Sequence, residues 1–562
     1  MIEKKKNKKR DLTQMILIIS IIFLLNFVSQ KFFTRFDLTT EKKFTLSEQT
    51  KELLEKLDDI VYFRVYLEGD FNPDFDRLKI STREMLDEFR AYSNGNIEYE
   101  FIDPLENPDQ KEQGKLIGQL RDKGIMPFTV QDKEKGGQSQ KIVLPGMIAE
   151  YKQKETVIQL YEDQMGTSPE VALNNSIEGL EYQLSNAIRK MQVGLKPRIA
   201  FLDGHGELDS IHVADFSNSL SEYYEVRREF FIGNISEIET LKNYKAIIIA
   251  QPDSAFTEQE KFILDQYLMH GGKILWMIDK VLVSGDSLAK SPMTYGLEQR
   301  LKLDDLFFKY GFRINADLVQ DMKCGPIVLP MPNNQQKAFP FLFYPLAGET
   351  NNHHPIAKNL NSVRLMFASS IDTVESDSKV KKTVLLSTSQ YSNAVIAPAR
   401  VDLRIVNIPL SQKLFKRENI PVAMLFEGQF SSAFKYRPAF DSLKINFKDK
   451  SDSTKMIVIS DGDAAFNYIN TKEKKSFPCG LDIWTGQMFS NRTFLLNAMN
   501  YLCGDAGLLS VRSREFVMRV LDAKKTESER TQWQMVNTIG PLSVVILFGI
   551  IAAWWRKRKY AS

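Results

Sequence analysis

Cysteine and histidine are scarce in this chain: three cysteines (Cys324, Cys479, Cys503) and five histidines in 562 residues. No C-x-x-C pair and no zinc-ligand spacing occurs, which excludes a thiol redox motif and a structural zinc site. There is no G-x-x-x-x-G-K-[ST], so no P-loop cradles ATP. No G-x-S-x-G elbow is present, and no cysteine follows a strand in a sharp turn, so the familiar hydrolase nucleophiles are missing. The net charge is only +3, which gives no electrostatic case for nucleic acid. Internal repeats and low-complexity tracts are absent too. An oxidising compartment permits a disulfide, and Cys479–Cys503 is the one pair near in sequence, but domains of this size do not need one.

Charge is also missing from two stretches. None appears from Leu12 to Gln30, after Lys4, Lys5, Lys6, Lys8, Lys9 and Arg10. None appears between Arg530 and Arg556, before Lys557, Arg558 and Lys559. About 20 apolar residues in a helix cross a bilayer core of about 30 Å. Residues 12–33 and 535–555 are therefore expected to be transmembrane helices. The segment Phe27-Val28-Ser29-Gln30-Lys31 is not an A-x-A-like cleavage site, which favours an anchor over a signal peptide. Trp533, Trp554 and Trp555 stand at the edges of the second stretch, where amphipathic rings favour the interface. Basic flanks mark the cytoplasmic side. Both ends then lie inside, as basic tails 1–11 and 556–562, and the region between lies outside the inner membrane.

That region is too long for one core. From 34 to 195 the pattern reads β-α-β-α-β-β with a further helix at 176–191. Val61, Phe63, Val65 and Leu67 alternate as the first strand, and 141–151 reads as the last. This is the order of a thioredoxin-like domain with Pro127 in the cis-proline position, but without redox cysteines in the loop Glu68-Gly69-Asp70-Phe71-Asn72-Pro73. From 196 to 510, apolar strands at 198–202, 246–250, 273–278 and 456–460 alternate with amphipathic helices. That predicts a larger parallel-sheet α/β domain of Rossmann or amidotransferase-like kind, with helices on both faces. Prolines at 326, 330, 332, 340 and 345 make 325–347 read as extended loops. Residues 511–534 are read as a juxtamembrane helix. The fold class is α/β, with two terminal transmembrane helices flanking the two domains.

Ligands of open α/β sheets sit beyond the carboxyl ends of the strands. Asp203, Asp279 and Asp461 stand at such ends, with Glu207 and Asp463 close behind and His205 between two glycines. Asp203, His205, Glu207, Asp461 and Asp463 form a candidate ligand or partner site, against the plainer reading of turn and cap residues. No catalytic residue, metal or cofactor is expected. His353-His354 point to opposite faces of an extended chain and do not chelate.

Arg35-Phe36-Asp37-Leu38-Thr39 with Thr45-Leu46-Ser47, then Asp203-Gly204-His205-Gly206-Glu207, are similar to the auxiliary family of ABC-type transport systems. Asn352-His353-His354-Pro355-Ile356, Glu427-Gly428-Gln429-Phe430-Ser431-Ser432, Asn491-Arg492-Thr493-Phe494-Leu495-Leu496-Asn497 and Leu509-Ser510-Val511-Arg512-Ser513-Arg514-Glu515 narrow the resemblance to the GldG family of gliding-motility ABC transporter components, over nearly the whole chain. His353 departs from the family's more usual Asn-His-Pro. The resemblance implies a cytoplasmic ATPase and a membrane permease as partners and a role in gliding motility. Three functions compete: a non-enzymatic transporter subunit whose exterior domains bind a substrate or envelope protein, an exterior hydrolase-like enzyme, and a mechanical or assembly scaffold.

Overall fold

The computed structural model describes residues 13–18, 20–21, 45–69, 71–134, 137–161, 169–192, 196–231, 233–331, 335–349, 354–358, 360–407, 411–412, 415–437, 446–470, 475–504 and 529–560. The chain forms two units, Met1–Lys43 with Glu515–Ser562, and Phe44–Arg514.

In the larger unit, the first helix, α1 (Glu48–Glu55), starts at Ser47, whose side chain accepts from the Thr50 amide. β1 (Val61–Val65) buries alternate residues, as a half-covered strand must. Next, α2 (Pro73–Tyr92) begins on the Asn72 cap with proline in its first turn. β2 (Ile97–Phe101) pairs parallel with β1. α3 (Gln110–Lys123) runs from the Asp109 cap to Gly124, which takes a left-handed φ of 112°. β3 (Phe128–Glu134) and β4 (Gly137–Val143) form a ribbon of their own. β5 (Gly146–Tyr151) lies antiparallel to β1, and β6 (Lys154–Gln159) antiparallel to β5.

The sheet order is β2-β1-β5-β6. The strand expected at 141–151 is thus two strands in two sheets. Pro145 has no amide hydrogen to continue the ladder, and Gly146 N instead donates to Leu144 O at 2.8 Å. The expected helix at 176–191 is also two, α4 (Pro169–Glu178) and α5 (Leu180–Gln192), broken at Gly179. Pro127 is not a cis residue; the cis peptide among the described residues is Ala397–Pro398. Phe63, Leu86, Phe89, Leu184 and Ile188 fill the core on one face of the sheet, and Tyr66, Leu120, Ile125 and Ile148 fill that on the other.

The larger sheet starts with β7 (Arg198–Asp203), α6 (Ala214–Ser221), β8 (Glu225–Phe230), α7 (Glu237–Leu241), β9 (Ala246–Ala250), α8 (Glu258–Met269) and β10 (Ile274–Met277). α9 (Asp304–Tyr310), β11 (Cys324–Pro330), β12 (Gln336–Glu349), β13 (Lys379–Ser387), β14 (Pro421–Ser431), β15 (Lys450–Ile459) and α10 (Asn491–Leu502) follow. The sheet has ten strands, nine of them in the order β11-β12-β13-β14-β15-β10-β9-β7-β8. The five from β15 to β8 run parallel. The four from β14 to β11 continue antiparallel, which the sequence reading did not anticipate.

β9 shows why the parallel half needs helices on both faces. Ile248 enters the core with Phe216 of α6 and Phe494 of α10, while Ile247 and Ile249 enter the other with Phe262 of α8 and Leu306 of α9. The proline-rich stretch read as loops is β11 and β12 at the sheet edge. There Pro326 faces Pro340, so each missing donor falls at a position where the edge tolerates it.

In the smaller unit, α11 (Arg530–Tyr560) contains a 27-residue stretch, Gln532–Arg558, long and apolar enough to cross a membrane. At 1.5 Å per residue that is about 40 Å. Pro541 lies inside it. Of the expected first span, 13–18, 20 and 21 are helical and the rest lies outside the described residues. So do both basic tails in part or whole, and residues 511–528 of the expected juxtamembrane helix.

Candidate functional site at the strand ends

β7 and β9 are neighbours, yet the chain leaves β7 toward β8 and leaves β9 toward β10. Loops diverge there, which is where ligands of open parallel sheets sit. All five predicted residues lie along this rim, in two groups.

The first group follows β7. Asp203 turns to the neighbouring strand and accepts both arms of the Arg228 guanidinium, with Nε at 2.8 Å from Oδ2. The next four residues coil tightly. Gly204 has φ of 145°, and a Cβ there would stand 2.1 Å from the backbone oxygen of Phe231. A Cβ on Gly206 would stand 2.1 Å from Asp253 Oδ1. Glycine is required for space as well as for dihedral angle. Glu207 holds the coil by accepting from Gly204 N at 2.9 Å and His205 N at 2.7 Å.

His205 is 4 % exposed. Its ring stacks on Phe256 at 3.8 Å between centroids, and its backbone oxygen accepts from Asp253 N and Ser254 N. Nε2 is 3.1 Å from Glu260 Oε2, and Nδ1 is 3.7 Å from Glu207 Oε1. Burial favours the neutral ring, but the two glutamates outweigh it and raise the imidazole above its ordinary pKa. Glu260 also closes the capping box of α8 with Thr257. His205 therefore joins the β7 loop to the start of α8 as an interior clamp.

The second group follows β9, β10 and β15. Asp461 is fully buried; its Oδ2 accepts from Met366 N at 2.5 Å and its Oδ1 from Asp463 N at 2.8 Å. Asp279 Oδ1 accepts from Gly462 N at 2.7 Å. Gln251, which the sequence reading passed over, donates to both Asp279 at 2.8 Å and Asp463 at 3.0 Å. Its backbone stands at φ of 58°, an uncommon conformation for a non-glycine residue. A polar residue between a buried strand and Pro252 was the available signal; the bridge was not. Burial raises all three carboxyls. Asp279 and Asp463 push Asp461 well above the usual carboxylate range, and burial with Asp279 pushes Asp463 up to about 7. These groups share protons rather than presenting three free charges.

The site therefore consists of hydrogen-bonded carboxylates and an imidazole held through Nε2, with two buried atoms, His205 Nδ1 and Glu207 Oε1, facing each other at 3.7 Å without a hydrogen bond. No group of three or more His, Cys, Asp or Glu among the described residues is arranged to hold a metal ion. Cys324 and Cys479 are free thiols, pushed up to about 11 and about 12 by burial, so neither presents a thiolate. His354 is lowered to about 4 by burial and sits edge-on to Tyr501; His353 lies outside the described residues.

The family described as an ABC-type uncharacterized transport system matches residues 196–498, from the start of β7 into α10. The chain belongs to this family. The ABC-type transport system family thus accounts for the large sheet and the whole strand-end rim. A domain of unknown function, DUF7088, matches 40–150, from before α1 into β5. An uncharacterized protein of Borreliella burgdorferi is 21% identical over 561 residues, covering 99% of both chains. Among solved structures, the mmIFT52 N-terminal domain overlaps 54% of this chain and 97% of its own at 16% identity, with a TM-score of 0.32. A ThuA-like protein from Parabacteroides merdae overlaps 56% and 91% at 10% identity, with a TM-score of 0.27.

Proposed function

We propose that the chain is a membrane-anchored accessory subunit of an ABC transporter needed for gliding motility, in permanent complex with a permease and a cytoplasmic ATPase. The match of 196–498 to a transport-system family carries this reading. The apolar helix α11 supports a fixed attachment, which raises effective concentration at the permease without any new contact. The finer reading has two spans in the inner membrane, both termini cytoplasmic, and the thioredoxin-like and amidotransferase-like domains in the periplasm, binding a substrate or envelope protein.

A non-enzymatic role is favoured over a hydrolase by one position. Gln251 occupies the strained turn after a central strand, where an elbow would expose a nucleophile, and its amide is committed to two carboxylates. The scaffold reading draws on the same closed rim. Affinity purification of the full chain from its native membrane is expected to recover an ATPase and a permease. Recovery of the intact chain without either would overturn the proposal. Replacing Asp203, His205 and Glu207 together by alanine separates the two remaining readings. Lost motility with an assembled, folded complex supports a partner site at the rim, and full motility argues against a site there.

A further inference from the structure

The smaller domain has its own crevice, also beyond the carboxyl ends of parallel strands. A cavity of about 570 Å³ lies between the loops after β1 and β2, the amino-terminal half of α3, and β4. Its size falls within the range of ligand sites, about 300–1,000 Å³.

Among the described residues two carboxylates and one lysine line it; Lys141 has a partner of its own, and the carboxylates differ in what surrounds them. Glu68 is neutralised by Lys79 and Arg83, both at 3.1 Å, from α2. Among the described residues Asp103 accepts only the Leu105 amide, at 2.8 Å, and no cation, Lys141 included, pairs with it. Gly69, at φ of 138°, brings the β1 loop close to that carboxylate; a Cβ there would lie 3.6 Å from Asp103 Oδ2. The wall contributes Tyr66, Ile117, Ile142 and Leu144 as apolar surface. Gly114 of α3 lines the same space, and a Cβ added there would meet nothing within 4 Å.

We propose that this crevice binds a peptide segment through one lysine or arginine side chain, whose charge meets Asp103 and whose aliphatic stem lies on Ile117 and Ile142. A carboxylate without a cation at an apolar wall is complementary to a basic head on an apolar stem. A single alkyl ammonium fills only part of the space, whereas a stretch of about three residues fills it. The inference rests on the proposed partner-binding role and places that role in the smaller domain.

The test uses the full chain in lipid nanodiscs with ¹³C-methyl isoleucine, titrated with the capped tripeptides Leu-Lys-Leu, Leu-norleucine-Leu and Leu-Glu-Leu. The lysine peptide is expected to shift the Ile117 and Ile142 methyls and the glutamate peptide to leave them in place. Asp103→Asn is expected to weaken the lysine peptide at least tenfold and to leave the norleucine peptide unchanged. Gly114→Leu fills the cavity with no steric conflict at Cβ, and is expected to abolish binding with an unchanged melting curve. No shift up to about 10 mM peptide, equal shifts with lysine and glutamate, or undiminished binding in Asp103→Asn would overturn the proposal. The measurement needs no ATPase or permease, so its outcome is independent of whether the complex forms.

Discussion

The four-stranded and the ten-stranded sheet each end a set of parallel strands among polar loops, and the two rims differ. Beyond the ten-stranded sheet the space is filled by the protein's own groups. His205 lies between Phe256, Glu207 and Glu260, and Gln251 bridges Asp279 and Asp463. Beyond the four-stranded sheet about 570 Å³ stays open, with Asp103 unpaired by any described cation. Strand-end position makes a site available but does not make it a site. The deciding quantity is how many of the polar groups there already have partners. On that measure the motif Asp203-Gly204-His205-Gly206-Glu207 is mostly architecture, with only His205 Nδ1 and Glu207 Oε1 left without a hydrogen bond and both of them buried, whereas Asp103 faces open space.

Substitutions can break or sharpen this contrast. The largest effect is expected at Gly204. Alanine would press Cβ against the Phe231 carbonyl, which is backbone and cannot swing away. Gly204→Ala should cost about 4 kcal/mol by denaturant titration. A neutral result would mean that the loop is loose.

His205→Ala should come next, at about 2 kcal/mol near pH 6, since it leaves Glu260 without its ring partner and opens space beside Phe256. The ring's folded pKa is raised. Its charge-dependent stabilisation is thus fully present below the unfolded value of about 6.5 and is lost as pH rises through the folded value. The difference in melting temperature between wild type and His205→Ala should therefore shrink from pH 6 to pH 9, and a constant difference would remove the imidazolium clamp.

Asp463 has the opposite sign to an ordinary salt-bridged aspartate. Its folded pKa of about 7 lies above the ordinary aspartate value of 3.8, so the native state binds more protons and stability falls as pH rises between those two values. Asp463→Asn should flatten that slope and gain about 1 kcal/mol above pH 7, read from melting curves across the range. Loss of stability at every pH would mean that the carboxylate is wanted ionised.

The smallest effect belongs to Asp203→Asn, which leaves Arg228 at the partly exposed edge with a weaker acceptor. Screening by solvent limits the cost to about 1 kcal/mol.

Particular residues show how far the sequence could be read. The alternation of Val61, Phe63 and Val65 and the buried run Ala246–Ala250 marked strands, because burial on one face or two writes itself into residue order. Asp and Gly at strand ends marked the rim. The split at Pro145, the separate β3–β4 ribbon and the antiparallel half of the large sheet were not legible, since pairing partners are chosen across distances that local pattern does not encode. Nor was the pairing of Gln251 with Asp463, 212 residues apart.

By itself, the order of residues determined the apolar length of α11, the alternation of strands with helices, and the presence of glycines where a Cβ has no room. These follow from local periodicity and local sterics, which neighbours in the chain control. Only the tertiary structure decided which acids meet a partner and which do not. Asp203 meets Arg228, His205 meets Glu260, and Asp103 meets no described cation, because the free energy of a charge depends on what surrounds it in space and not on what precedes it in sequence.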